Sequence, residues 1–289
     1  MKMKLPTPIR KGVMMIGLAT VVAMQAACNA TVPQKIISSH PEFLKTETYQ
    51  DLTHLPRPIG KVFAAVYDFQ DYTGQYRDTG ANSLSTAVSQ GGSAILMQAL
   101  LDSDWFIPVE RQGLNNLLTE RKIYRARNGA DKDGEDSMPP LLNANILLGG
   151  GIIAYDSNVV TGGQGARYLG IGANKKYRTD QVTVALRAVD VQTGRVLNSV
   201  TATKTIYSYE VSANVFRFVG FKKLLEAEVG YTKNEPAQLC VTEAIQAAVI
   251  SLIQKGIEDH NWALKDRQQI AAPVFQKYRD EQEAQGIAG

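Results

Sequence analysis

The chain has 289 residues, 44% of them hydrophobic and 20% charged, which is enough apolar material for one or two packed domains and too much for a disordered tail. Its 31 Lys and Arg against 28 Asp and Glu leave a net charge of +3. Four of the basic residues (Lys2, Lys4, Arg10 and Lys11) stand in the first 27 residues, which carry no acid, so the remainder is at −1 and the electrostatic case for coating nucleic acid falls away.

In chain order, the basic stretch 2–11 precedes an apolar run of 12 residues at 13–24, too short to cross a bilayer comfortably as a helix, so 1–27 reads as an export signal. Ala26 and Ala27 then lead into Cys28, a pattern that resembles the lipobox of bacterial lipoproteins, although Gln25 stands where a large aliphatic residue is usual. Cys28 is therefore expected to carry a covalent lipid, and no other cofactor is expected. In that class of protein, Asn29 rather than Asp after the cysteine favours the outer membrane. Cys240 is the one remaining cysteine, so no disulfide framework is expected; it sits on an apolar helical stripe and reads as a buried small hydrophobe.

Residues 28–58, with Pro33, Pro41, Pro56 and Pro58, read as a tether. The stretch 59–157 has the alternation of an α/β layer: a strand at 61–69, a helix at 86–101, a strand at 105–109, a helix at 111–125 and a polar loop at 129–140. Strand-like stretches follow at 145–155, 181–191 and 195–207, the last two joined by a turn at Thr193-Gly194. Asn234-Glu235-Pro236 is helix-start chemistry, and Val241, Ile245, Ala248, Val249, Leu252, Ile253 and Ile257 form one apolar face. With a mixed-charge helical stretch at 265–285, this makes 234–289 a C-terminal helical region.

Two segments, 158–180 and 209–233, do not suit a soluble core. The first is rich in glycine. In the second, Leu225, Ala227, Val229 and Tyr231 alternate with Glu226, Glu228, Gly230 and Thr232, and a turn is expected near 218–221. Periodicity leaves 222–229 open between a membrane strand and an amphipathic helix. If both segments are membrane hairpins, one chain supplies four strands, too few to close a barrel with satisfied edges, so several subunits must share one. Phe216 and Phe218, beside Arg217, suit a bilayer interface.

The motifs Asp51-Leu52-Thr53-His54-Leu55-Pro56, Trp105-Phe106-Ile107-Pro108, Glu110-Arg111-Gln112-Gly113-Leu114, Gly165-Ala166-Arg167-Tyr168, Val215-Phe216-Arg217-Phe218 and Glu228-Val229-Gly230-Tyr231, spread over 49–262, closely resemble the curli secretion channel family, CsgG. The resemblance implies an outer-membrane lipoprotein, commonly a nonamer. Its fold would be an α/β periplasmic domain plus two transmembrane β-hairpins per subunit that form a shared oligomeric β-barrel. It would export unfolded curli subunits with a periplasmic capping factor and a cell-surface accessory factor as partners. The resemblance also assigns Glu226 and Glu228, with Glu210, to the lumen. The family's constriction loop, matched at 71–89 through Asp71, Thr73, Gly74 and Gln75, carries a Tyr, an Asn and a Phe; those positions fall here on Thr79, Ser83 and Leu84. Without the two rings, a wider or softer constriction is expected.

Enzymatic chemistry is not indicated. His40, His54 and His260 lack metal-ligand spacing, and no Ser/His/Asp set can be assembled. Gly163-x-Gly165 and Gly170-x-Gly172 are only fragments of a dinucleotide fingerprint, and no phosphate loop is present, so movement through a pore would be diffusive. The competing expectation is a periplasmic lipoprotein scaffold that never inserts.

Overall fold

A computed structural model describes residues 46–78, 84–128, 138–161, 176–212, 215–219 and 236–284. Its centre is a strand in which small and β-branched residues repeat: β1 (Val62–Asp71) is paired on both sides, in parallel with β4 (Phe106–Val109) and with β5 (Ile146–Thr161). Ala64, Ala65 and Val66 are buried, as a parallel strand covered on both faces requires. From β5 the sheet turns antiparallel through β6 (Lys176–Asp190), β7 (Val196–Ser212) and β8 (Val215–Val219), giving the six-stranded order β4-β1-β5-β6-β7-β8. A separate two-stranded ladder, β2 (Tyr76–Asp78) and β3 (Leu84–Thr86), stands between β1 and the first long helix of this layer.

Among the described residues five helices accompany the sheet. They are α1 (Glu47–Thr53), α2 (Gly92–Asp102), α3 (Leu114–Asn128), α4 (Pro236–Glu258) and α5 (Pro273–Ala284), with a 3₁₀ turn at Arg267–Ala271. The helix α4 is buried nearly all round, Glu243, Gln246, Ser251 and Gln254 included, and packs on β6 and β7 and against α1 and α2. By length and composition it could cross a membrane, but 89% of its apolar window is covered by the fold itself. Beyond its C-terminus Trp262 folds back: its indole Nε1 donates to the Ile253 carbonyl at 2.7 Å, and its ring meets Phe106 edge to face with centroids 6.0 Å apart. Gly256 makes room for that ring, since a Cβ there would overlap it. By contrast, none of residues 114–127 of α3 is buried. The arginines at and before it fasten the segment, Arg111 Nη2 to the Leu142 carbonyl at 2.7 Å and Arg121 Nη2 to the Pro139 carbonyl at 2.6 Å.

The expected strand at 61–69, the strand at 105–109 and the helix at 111–125 lie within one to three residues of β1, β4 and α3 at each end. The helix expected from residue 86 instead begins at Gly92. Thr86 is held in the β2–β3 ladder opposite Tyr76, and the adjoining Ala87 N–H donates to the Gln75 carbonyl at 2.9 Å, so this stretch belongs to the hairpin. Gly91 and Gly92 then open the helix where it presses on Phe69. The turn after β6 is at Thr193-Gly194 as expected: Thr193 N and Oγ1 donate to Asp190 Oδ1 at 2.7 and 2.6 Å, holding the Asp190 carboxyl below its ordinary range, and Gly194 supplies a φ of +71°.

The reversal expected near 218–221 is elsewhere. Ser212 stands opposite Val215, so the chain turns back between those two, and Val215-Phe216-Arg217-Phe218-Val219 is a paired strand. Five successive residues rich in β-branched and aromatic types pair more readily than they turn. Arg217 and its two phenylalanine neighbours thus occupy alternate strand positions rather than a turn. The boundaries drawn at 158 and 180 also fall in mid-strand, because β5 and β6 stay paired from Ile146↔Asp190 out to Thr161↔Lys176.

Candidate functional site

Two features project from this frame. One is the segment that leaves the C-terminal end of β1 and returns to α2. Asp71 closes β1, and its carboxylate receives both ends of the segment. Oδ1 accepts from Thr73 N at 2.9 Å and Thr73 Oγ1 at 2.7 Å, while Oδ2 accepts from Gln90 Nε2 at 3.1 Å. Inside that closure Gln75 N donates to Thr73 Oγ1 at 3.3 Å, Gly74 takes a φ of +63°, and β2 and β3 form the stem. Tyr72 anchors the segment to β5. Its N–H donates to the Ile152 carbonyl at 2.9 Å, and its ring lies over Gly151, where a Cβ would overlap it. Ser93 Oγ donates to the Phe69 carbonyl at 3.1 Å and ties the start of α2 to the same strand end.

The other feature is the antiparallel meander β5-β6-β7-β8. Past Ile152, where β1 stops pairing, β5 has a partner on one side only, and β8 is likewise paired only with β7 among the described residues. The register sets Glu210 opposite Phe216 and Tyr209 opposite Arg217. At the root of the meander lies a polar cluster. Asp180 is fully buried, its Oδ1 accepting from Tyr155 OH at 2.7 Å and from Arg178 Nη2 at 2.9 Å, and Arg178 Nε also donates to Ser157 Oγ at 3.0 Å. Burial, reinforced by Asp180, raises the Tyr155 hydroxyl above its ordinary range. Cys240 of α4 closes this root, donating through Sγ to the carbonyls of Lys204 at 3.1 Å and Asp180 at 3.3 Å; burial pushes its thiol up to about 12.

Of the residues singled out from sequence, Leu84 begins β3 opposite Asp78, and Thr79 and Ser83 lie outside the described residues. Glu210 is in β7 and Phe216, Arg217 and Phe218 are in β8, which brings these four together in one ladder. Glu226, Glu228 and Cys28 lie outside the described residues. Cys240 is buried. His54 is exposed at the C-terminus of α1, its Nδ1 2.7 Å from the Gln50 carbonyl, and among the described residues no cluster of His, Cys, Asp or Glu is placed to hold a metal ion.

Sequence reading missed the Asp71–Gln90 closure and the Tyr155–Arg178–Asp180 cluster. Asp71-x-Thr73-Gly74 does carry the signature of an Asx turn, an aspartate accepting from the N–H two residues on before a glycine. Nothing local foretells that Gln90 meets it from 19 positions away, or that Tyr155 and Asp180 join across two strands.

The family model described as "Curli production assembly/transport component CsgG" matches residues 45–282. Curated proteins of that same description include one from Escherichia coli K12, 48% identical over 91% of this chain and 95% of its own length. One from Citrobacter koseri is 48% identical over 89% and 94%, and one from Salmonella typhimurium 49% identical over 86% and 91%.

Proposed function

Because the chain belongs to the CsgG family, we propose that it works in curli biogenesis as the subunit of an outer-membrane channel that passes unfolded curli subunits to the cell surface. The observation that carries this reading is the pair of open edges on the meander. The four strands β5 to β8 alternate in direction, so β5 and β8 run opposite ways, and each lacks an outer partner along its projecting part among the described residues. A neighbour's β8 therefore fits β5 as one more antiparallel step, and repetition around a ring leaves no edge unpaired. Four strands per copy satisfy the bilayer only in such a shared barrel, with the α/β body beneath it in the periplasm.

Within this reading a lipid on Cys28 holds each copy at the membrane, the ring is a homo-oligomer, commonly nine copies in the family, and curli subunits are the passengers. A periplasmic capping factor confines the passenger below, and a surface accessory factor receives it above. Glu210, Glu226 and Glu228 repeat as lumenal acidic rings that disfavour acidic stretches of passenger. Thr79, Ser83 and Leu84 line the narrowest point, where small and aliphatic groups grip an extended chain weakly and let it leave again. Passage is diffusive, biased by confinement.

Planar-bilayer recording of the purified lipidated oligomer is the test. Discrete, cation-favouring conductance steps are expected. Intact oligomers that leave bilayers silent would overturn the channel, and a lipoprotein that is extractable without forming heat-stable rings would favour the non-inserting periplasmic scaffold. A unit conductance no larger than that of an aromatic-gated relative would remove the wider constriction.

A further inference from the structure

We propose that Asp71 is a positioning residue for the pore: its carboxylate is the clasp that holds the β2–β3 hairpin in one place at the end of the β1–β5 ladder. The inference rests on the channel reading and assigns a role to a residue that touches no passenger. A single carboxylate receives both ends of the segment, Thr73 N and Oγ1 at one oxygen and Gln90 Nε2 at the other. Gln90 is itself oriented by a second bond, donating to the Val88 carbonyl at 3.3 Å. The closure is short. Beyond it, among the described residues, the stem has three paired positions and the Gln75–Ala87 backbone bond, a ladder too short to hold an isolated hairpin in water.

The clasp also stands where its effect is greatest. Asp71 is paired with Ile152 at the last step of the β1–β5 ladder, and Tyr72, next in sequence, bonds Ile152 and covers Gly151. The hairpin is thereby registered to β5, the strand that continues into the open-edged meander. An aspartate is suited to this place because two oxygens, each with two lone pairs, satisfy three donors from opposite directions. Bonds to an ionised acceptor are also stronger than neutral ones. Opening the clasp frees the base of the hairpin without unfolding the sheet.

The test compares the full-length protein with Asp71→Ala, Gln90→Ala and Thr73→Ser by amide hydrogen exchange and by bilayer recording. Losing the Gln90 bond is expected to speed exchange at the Ala87 N–H about five- to tenfold, the population change that one such bond supplies, and Asp71→Ala, which removes all three bonds, is expected to speed it further. Thr73→Ser keeps the hydroxyl and should behave as wild type. In single channels the Gln90→Ala protein should spend about five- to tenfold more time at a second conductance level and the Asp71→Ala protein longer still, while ring stability stays unchanged. Because Gln90 is exposed at this contact, its variant reports on the clasp even if Asp71→Ala folds poorly. Unchanged exchange in Gln90→Ala overturns the clasp. Faster exchange with one steady conductance level overturns its bearing on the pore. A wild-type protein that forms no pore strikes the channel reading instead, and the exchange rates still decide the clasp.

Discussion

Replacing Arg178 with Met tests the buried cluster at the root of the meander. The Asp180 side chain is wholly removed from solvent, and Arg178 reaches its Oδ1 through both Nη2 at 2.9 Å and Nε at 3.2 Å. Methionine keeps most of the length and apolar contact of the arginine stem but leaves the carboxylate with only the Tyr155 hydroxyl. An uncompensated buried charge costs about 3–5 kcal/mol. The Arg178 side chain is 23% exposed, so its charge is partly stabilised by water, and the lower end, about 3 kcal/mol, applies. For a domain of this size that loss lowers the melting temperature by about 6–12 °C. Arg178→Met/Asp180→Leu removes both charges and should recover about 2 kcal/mol, the remainder reflecting a Tyr155 hydroxyl left without its acceptor. Thermal and urea unfolding of the full-length protein measure both. A single variant within about 1 kcal/mol of wild type, or a double variant no more stable than the single, would refute the assignment of a desolvated ion pair here.

Gly256→Ala should cost about 2–3 kcal/mol in urea, with loss of near-ultraviolet Trp dichroism, because the added methyl displaces the Trp262 ring from Phe106 and the Ile253 carbonyl. Cys240, its thiol pushed up from 9.0 to about 12 by burial, should resist maleimide at pH 8 until the protein unfolds. The sign of the linkage follows: the unfolded thiol ionises first, so this group's stabilisation is complete below pH 9.0 and is lost as pH rises toward about 12, seen as a falling urea midpoint. Lys277→Met should loosen α5 from α1 by about 1 kcal/mol, measured as faster exchange in α5. Burial disfavours the Lys277 charge, but its bonds to Asp51 at 2.5 Å and Glu47 at 2.8 Å outweigh that and hold the ammonium above its ordinary range. Glu226→Gln/Glu228→Gln should move the reversal potential toward zero in a salt gradient; an unchanged potential removes both from the lumen.

Whatever depends on neighbours along the chain was legible in the order of the amino acids. Strand-like runs marked β1, β4 and the long strands, an apolar stripe marked α4 with Cys240 inside it, and Thr193-Gly194 marked its turn, because each of these is fixed by side-chain type and pattern or by hydrogen bonds closed within a few residues. Motifs spread over most of the chain were enough to identify the family. Tertiary pairing decided the rest. The ladder claimed Thr86 from a helix that its sequence also permitted, and it set Ser212 opposite Val215, making a strand of the stretch around Phe216 to Phe218. The Asp71 clasp and the Tyr155–Arg178–Asp180 cluster join residues from separate strands and loops. Their donors and acceptors meet only once the sheet has brought them within about 3 Å, the range over which a hydrogen bond acts.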